Sequence, residues 1–245
     1  MVSQPPVFFA DHAELQRDIV VLHGAEGRHA ATVRRLRPGE RADVSDGAGL
    51  VAECAVTGQS SRGLELAVLA RREVSRPDPV LTVVQAIPKG DRGELAVAEM
   101  TEVGVDRIMP WAAARCVAVW RGERGARSLT KWRSTAREAA KQSRRAWIPE
   151  VTQAVSAADV AEVIAKAARA IVLDPEAADS LGGLRPPESG DLLVIVGPEG
   201  GITDDESTAF RTAGATARRL GPTVLRTSTA GTVAAAVLLS RSGRW

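Results

Sequence analysis

Leu192-Leu193-Val194-Ile195-Val196 runs directly into Gly197-Pro198-Glu199-Gly200-Gly201, and the reading of that junction decides the fold. Five consecutive apolar residues fit a strand buried on both faces, as in a parallel sheet. The proline and glycines that follow end it. Thr203, with Glu206 three residues later, forms a capping-box pattern, so a helix starts there and stops at Gly214. A buried strand, a tight loop and a capped helix place a ligand at the carboxyl end of the strand. Residues without a Cβ let that ligand approach the backbone amides. The common nucleotide patterns do not fit. No Lys-Ser or Lys-Thr follows as in a P-loop, and the glycines are not spaced as G-x-G-x-x-G.

Downstream, Leu220-Gly221-Pro222-Thr223-Val224-Leu225-Arg226-Thr227 is a non-helical stretch before an alanine-rich helix expected over 230–240. Its glycine and proline fix a turn whose backbone forms one wall of a pocket. Upstream, an apolar run at 81–87 precedes a helix over 94–103 that Gly104 stops. A strand at 107–111 and a long helix over 129–145 follow. Ser156 caps another helix with Asp159, and 171–173 returns to the sheet. Strands alternating with helices predict a parallel sheet covered on both faces, an α/β fold. The first seventy residues read differently. Short β-rich runs at 18–22, 41–45, 50–57 and 64–69, with the Asp46-Gly47 turn, predict a small barrel interrupted by a helix over 27–36. Two prolines in 74–79 mark a linker, so the expected domains are 1–73 and 80–245.

Composition narrows the function classes. A chain of 245 residues with 44% hydrophobic content buries a core and is not disordered by default. No apolar run reaches membrane-span length, and Met1-Val2-Ser3-Gln4-Pro5-Pro6 lacks the order of a secretory signal, so a cytoplasmic protein with no membrane association is expected. Cys54 and Cys116 match no zinc or redox spacing, and a metal site is not expected. The net charge of +2 hides an asymmetry: residues 115–145 hold ten basic and two acidic side chains, a local charge of +8. Clustered arginine suits a polyanion, whose phosphate oxygens accept its forked donors. Arg133, Arg137, Lys141 and Arg145 recur every fourth residue, which on a helix makes one stripe. Trp111, Trp120, Trp132 and Trp147 are read chiefly as packing residues.

The two glycine-bearing segments together are similar to the knot loops that hold S-adenosylmethionine in the SPOUT methyltransferases. Further stretches narrow the resemblance to the RsmE family, the 16S ribosomal RNA uracil-N3 methyltransferases. These are His29 with Val33, Arg35, Pro38 and Gly39; Asp46-Gly47; Glu102-x-Gly104-Val105 with Pro110; Arg115-Cys116; Gln142-Ser143 with Arg145 and Pro149; and Leu225-Arg226-Thr227. Three positions depart from the family pattern: Ser228 replaces a usual Glu, Arg34 a usual Leu, and Val7 a frequent Arg.

The resemblance implies an α/β C-terminal SPOUT domain with a deep trefoil knot, an N-terminal PUA-like β-barrel, and a homodimer with its active site at the subunit interface. It implies S-adenosylmethionine as cofactor and uracil 1498 of 16S rRNA, within the small ribosomal subunit, as target. It assigns the cofactor to Leu173, Gly197, Pro198, Glu199, Gly200, Gly201, Leu220, Gly221, Val224, Leu225, Arg226, Thr227 and Thr229. RNA contacts fall to His29, Arg34, Arg35, Arg133, Arg137, Lys141, Gln142 and Arg145. Uracil N3 must lose its proton before it attacks a methyl group, so the chemistry asks for a cation beside the uracil oxygens and a carboxylate as base. Arg115 or Arg145 suits the first role, Glu199 or Glu102 the second. A ribose 2′-O methyltransferase is disfavoured because Leu225-Arg226-Thr227-Ser228 stands where that class carries Ser-Leu-Asn. A non-catalytic RNA-binding assembly factor is disfavoured because the glycine loops are intact.

Overall fold

The computed structural model describes residues 4–61 and 63–245; Met1, Val2 and Ser3 of the opening hexapeptide lie outside the described residues. The chain divides into two compact units, Met1–Arg76 with Ala140–Ile148, and Pro77–Ala139 with Pro149–Trp245. The contiguous division expected from the linker lacked one segment, 140–148, which packs with the first unit.

The first unit is a five-stranded sheet. In chain order its strands are β1 (Val7–Phe9), β2 (Ile19–Leu22), β3 (Arg41–Ser45), β4 (Leu50–Ser60) and β5 (Gly63–Glu73), with the short helices α1 (His12–Leu15) and α2 (Gly24–Arg28). The strand order is β1-β3-β4-β5-β2. The pairs are antiparallel except β1 with β3. Alternate residues such as Ala42, Val44, Ala52, Cys54, Leu64 and Leu66 point into one core with Phe8 and Leu15. The helix expected over 27–36 lies three residues earlier: α2 covers Gly24–Arg28 and a π-helical turn, His29–Val33, continues it. Gly27 lets α2 lie against the end of β2, since a Cβ there would lie 2.2 Å from the Leu22 carbonyl oxygen. Segment 140–148 is fixed to the sheet by Trp147, whose Nε1 donates to the Val74 carbonyl at 2.8 Å.

The second unit contains β6 (Val80–Ala86), α3 (Arg92–Val103), β7 (Arg107–Trp111), α4 (Gly122–Gln142, whose last three residues count with the first unit), β8 (Glu150–Val151), α5 (Ala157–Lys166), β9 (Arg169–Leu173), β10 (Asp191–Val196), α6 (Asp204–Thr212), β11 (Thr216–Arg218) and α7 (Thr227–Arg241). The sheet order is β11-β9-β10-β6-β7-β8, and every pair is parallel. Alternation along the strands feeds two cores. Leu81, Val83, Leu192, Val194 and Ile171 meet α3, α4 and α7 on one face. Val84, Ala86, Leu193, Ile195 and Val172 meet α5 and α6 on the other. The winding therefore reverses between β10 and β6, the position where open parallel sheets hold ligands.

Trp111 and Trp132 are fully buried, and Trp120 packs edge-on to Trp132 with ring centroids 4.9 Å apart. These rings are core residues. No helix of the described residues is long and apolar enough to cross a membrane.

Cys54 sits in the core of the first unit, and burial, followed by the Asp43 carboxylate, pushes its thiol pKa up to about 11. A thiol so buried is almost entirely protonated at pH 8 and unreactive. Alkylation at pH 8 followed by peptide mass mapping is expected to leave Cys54 unmodified until denaturant is added. Labelling of Cys54 in the native protein would show that this core opens.

Candidate active site

Because all six strands of the second unit run the same way, their carboxyl ends lie along one edge. The segments after β9, β10 and β11 meet there around a cavity of about 660 Å³. The first glycine segment and the second segment are joined directly: Thr227 Oγ1 donates to the Gly197 carbonyl at 3.1 Å. Thr227 opens α7, which starts earlier than the 230 expected from composition. Gln85, at the end of β6, donates from Nε2 to the Ala86 and Thr227 carbonyls at 3.0 and 3.3 Å, so the start of α7 is tied to the central strand. Gly231 lets the helix come that close, since a Cβ there would lie 2.9 Å from Met100 Sδ and 3.3 Å from Gln85 Oε1.

The cavity is walled by Leu173, Val196, Ile202, Leu220 and Leu225 and edged by main chain. Leu220, Gly221 and Leu225 belong to a non-helical segment that lines the cavity, so main-chain polar groups lie close to it. Such a site, apolar walls with a few convergent polar groups, suits a planar heterocycle with hydrogen-bonding edges.

Of the positions the sequence assigned to this pocket, Leu173, Gly197, Pro198, Glu199, Gly201, Leu220, Gly221, Val224, Leu225, Arg226 and Thr227 line it. Gly200 and Thr229 are not among the lining residues. Gly200 instead packs on Arg115: a Cβ there would lie 3.1 Å from Arg115 Cβ and 3.2 Å from its carbonyl oxygen. Thr229 bonds back to the Arg226 carbonyl within the first turn of α7. Arg115 follows β7 and donates from Nη1 to the Gly200 carbonyl at 3.2 Å, which brings the guanidinium to the glycine loop. The Glu199 carboxylate is exposed and accepts the Lys89 N–H at 3.4 Å. This contact spans the crevice between the ends of β6 and β10.

Other expected positions lie elsewhere. Glu102 is exposed in the last turn of α3 and does not line the cavity, because α3 turns Ala96, Val97, Met100 and Thr101 inward. Its neighbour Gly104, at φ 106°, is the helix stop the sequence predicted. Arg145 belongs to the first unit and lines a separate cavity there with Asp43, Glu53, Arg72 and Arg144. The expected basic stripe is also broken. The helix ends at Gln142, short of Arg145, and Arg133 Nε donates to the Val151 carbonyl at 3.0 Å. Lys141 is buried, with Nζ 2.7 Å from Glu26 and 5.1 Å from the Phe8 ring centroid. Its charge is neutralised inside the unit rather than offered to phosphate. His29, Arg34 and Gln142 line a cavity of about 320 Å³ in the first unit, and Arg35 is exposed at φ 55°.

Arg92, Asp174 and Arg219 line the main cavity and were not anticipated from sequence. Asp174 and Arg219 each directly follow a strand, β9 and β11, so the carboxyl-end rule applied to every strand would have found them.

Known proteins locate this architecture. Residues 76–239 match the family model of an RNA methyltransferase domain, and 22–69 that of an RNA methyltransferase PUA domain. The protein is an RNA methyltransferase with the SPOUT α/β fold, preceded in sequence by a PUA-like domain. It is 45% identical over 98% of its length to ribosomal RNA small subunit methyltransferase E of Mycobacterium bovis, covering 93% of that protein. It is 27% identical to the Bacillus subtilis protein of that name, covering 84% of each chain. The crystal structure of the Neisseria gonorrhoeae ribosomal RNA small subunit methyltransferase E bound to S-adenosyl methionine superimposes with a TM-score of 0.84 at 29% identity, covering 97% of this chain and 98% of that one. The chain belongs to the ribosomal RNA small subunit methyltransferase E family.

The seating of α7 on β6 yields a direct test. Gly231→Val puts branched carbon into Met100 and Gln85 and is expected to cost about 1–3 kcal/mol, as overpacked cores do. Thermal melting reads the loss, and an unchanged midpoint would show that α7 does not need this approach.

Proposed function

We propose that this protein uses S-adenosylmethionine to methylate N3 of a uracil in 16S ribosomal RNA, at the family target uracil 1498, acting on the small ribosomal subunit. The observation that carries the proposal is the union of the two loops by Thr227 and Gly197 around a cavity with apolar walls, with Arg115 bonded to the same loop. The residues present fit this cofactor. Leu173, Leu220 and Leu225 would enclose its apolar parts, and the main chain around Gly221 would offer it polar groups. When bound, S-adenosylmethionine supplies a methyl group activated by its sulfonium, which calls for no metal.

The protein's own residues must favour the uracil anion. That role falls to Arg115, since a cation held beside the substrate by the Gly200 carbonyl would stabilise charge on the uracil oxygens. Glu199 is the proton acceptor, held toward the cleft by the Lys89 N–H. Glu102 stands on the exposed face of α3 and does not line this cavity, and Arg145 lines a cavity of the first unit. RNA is gripped through the PUA-like unit, where Arg34 and Arg35 are exposed and His29 and Gln142 border a basic cavity, with Arg133 and Arg137 adding charge along α4. The working form is a homodimer in the cytoplasm. Exposed Val117, Val119 and Val224, beside Arg115 and in the second segment, support an apolar contact there.

Small subunits lacking the modification, incubated with enzyme and labelled cofactor and then mapped by nuclease digestion and mass spectrometry, are expected to carry the methyl group on uracil N3. A methyl group on ribose or another base would refute the assignment. Arg115→Ala is expected to lower kcat by about 10²–10³, the usual loss for a stabiliser of developing charge.

For the RNA surface, Arg34→Glu with Arg35→Glu is expected to weaken subunit binding and flatten its salt dependence by about one unit of slope per lost phosphate contact. Calorimetry should give unchanged cofactor affinity in that variant. An unchanged salt slope would remove both arginines from the RNA surface.

A further inference from the structure

The capping box of α6 uses only part of Glu206. Its Oε2 accepts the Thr203 N–H and hydroxyl, both at 2.9 Å, while Thr203 Oγ1 accepts the Glu206 N–H at 3.3 Å. That completes the box. Glu206 Oε1 accepts the backbone N–H of Ala114 at 2.8 Å, and the residue is 6% exposed. A buried carboxylate reaching a distant loop is not needed to start a helix, so the second oxygen requires its own explanation.

Ala114 immediately precedes Arg115. The Arg115 side chain in turn donates to the Gly200 carbonyl, in the loop that leads to Thr203. A Cβ at Gly200 would sit tightly, 3.1 and 3.2 Å from Arg115 Cβ and carbonyl oxygen, and would press on the Arg115 backbone. The two loops are thus held from both sides. Glu206 grips the backbone next to Arg115, and Arg115 grips the loop next to the helix that carries Glu206.

We propose that Glu206 is a positioning residue for methyl transfer, whose carboxylate fixes the direction of the Arg115 guanidinium against the glycine loop. This rests on the assignment of Arg115 as the cation beside the substrate. Only a carboxylate serves both contacts, because each of its oxygens accepts. An amide has one acceptor oxygen, so in Glu206→Gln either the Ala114 or the Thr203 N–H faces an NH₂ group. The side chain keeps its volume while the joint loses one bond. Arg115 then samples other directions, and misplacement on the order of 1 Å costs about a hundredfold in rate.

A double-mutant cycle tests this on the full-length enzyme with small subunits lacking the modification. Glu206→Gln, Arg115→Ala and the double variant are compared by kcat, by the KM for cofactor and by melting temperature. Glu206→Gln is expected to lower kcat by about ten- to a hundredfold with less than about a threefold change in KM. In the Arg115→Ala background it should lower kcat no further, since residues acting as a unit are not additive, while its effect on melting stays the same in both backgrounds. Equal kcat losses in both backgrounds, or none in either, would overturn the proposal. Should Arg115→Ala alone keep the parent kcat, the catalytic assignment of Arg115 falls, a result distinct from additivity. Gly200→Ala approaches the same joint from the other side. It is expected to show the same kcat loss and the same dependence on Arg115 even where Glu206→Gln folds poorly, and additivity with Arg115→Ala would count equally against the proposal.

Discussion

Parallel pairing of β10 with β6 and β9 is the constraint on which the rest of the second unit depends. It buries Leu192–Val196 on both faces, so the strand carries almost no polar side chain. It also brings every strand's carboxyl end to one edge, so segments far apart in sequence must meet there: Leu173 after β9, the glycine loop after β10, Arg219 and Leu220 after β11, Lys89 after β6 and Arg115 after β7. An antiparallel arrangement would have sent alternate loops to opposite ends. The reversal of winding between β10 and β6 then separates the connections that follow them, and the Glu199 to Lys89 contact bridges the gap.

Close approach is the second requirement. The wall formed by α7 exists because Gly231 admits β6 and Met100, and because Gln85 supplies donors to carbonyls at the helix start. Gln85 carries a cost, since its Oε1 has no partner among the described residues. A buried polar residue in a largely apolar sheet is tolerated where its other atoms fix the start of a helix. Gly93 plays the corresponding part on the same face, where a Cβ would lie 2.6 Å from Trp132. Small residues here set distances between elements, and those distances set the cavity.

How much of this was legible follows from the range of the forces involved. The continuous apolar strand, the Thr203 and Ser156 capping boxes and the stop at Gly104 are local patterns, and each appears where the sequence put it. The short strands β1 and β11 carry no period of their own because each is three residues long and is defined by its partner. The start of α4 is not legible because residues 122–128 offer few apolar positions and include Gly122 and Gly125, which are poor helix formers. The basic stripe failed for a tertiary reason. Periodicity aligned Lys141 with Arg137, whereas burial beside Glu26 and Phe8 depends on residues more than a hundred positions earlier.

Ser228 illustrates how a departure from the family pattern can be neutral to the fold. It lies in the first turn of α7, 4% exposed, between Thr227, which bonds Gly197, and Ala230, which packs in the core. The bonds that seat this turn come from Thr227, Gln85 and the Arg226 carbonyl, and none uses the residue 228 side chain. A small hydroxyl therefore preserves the joint between the two loops. What it changes is charge: with Ser228, the first turn of α7 contains no acidic side chain. Negative charge beside a helix N-terminus is favourable, and this turn is seated without it, by hydrogen bonds and burial alone.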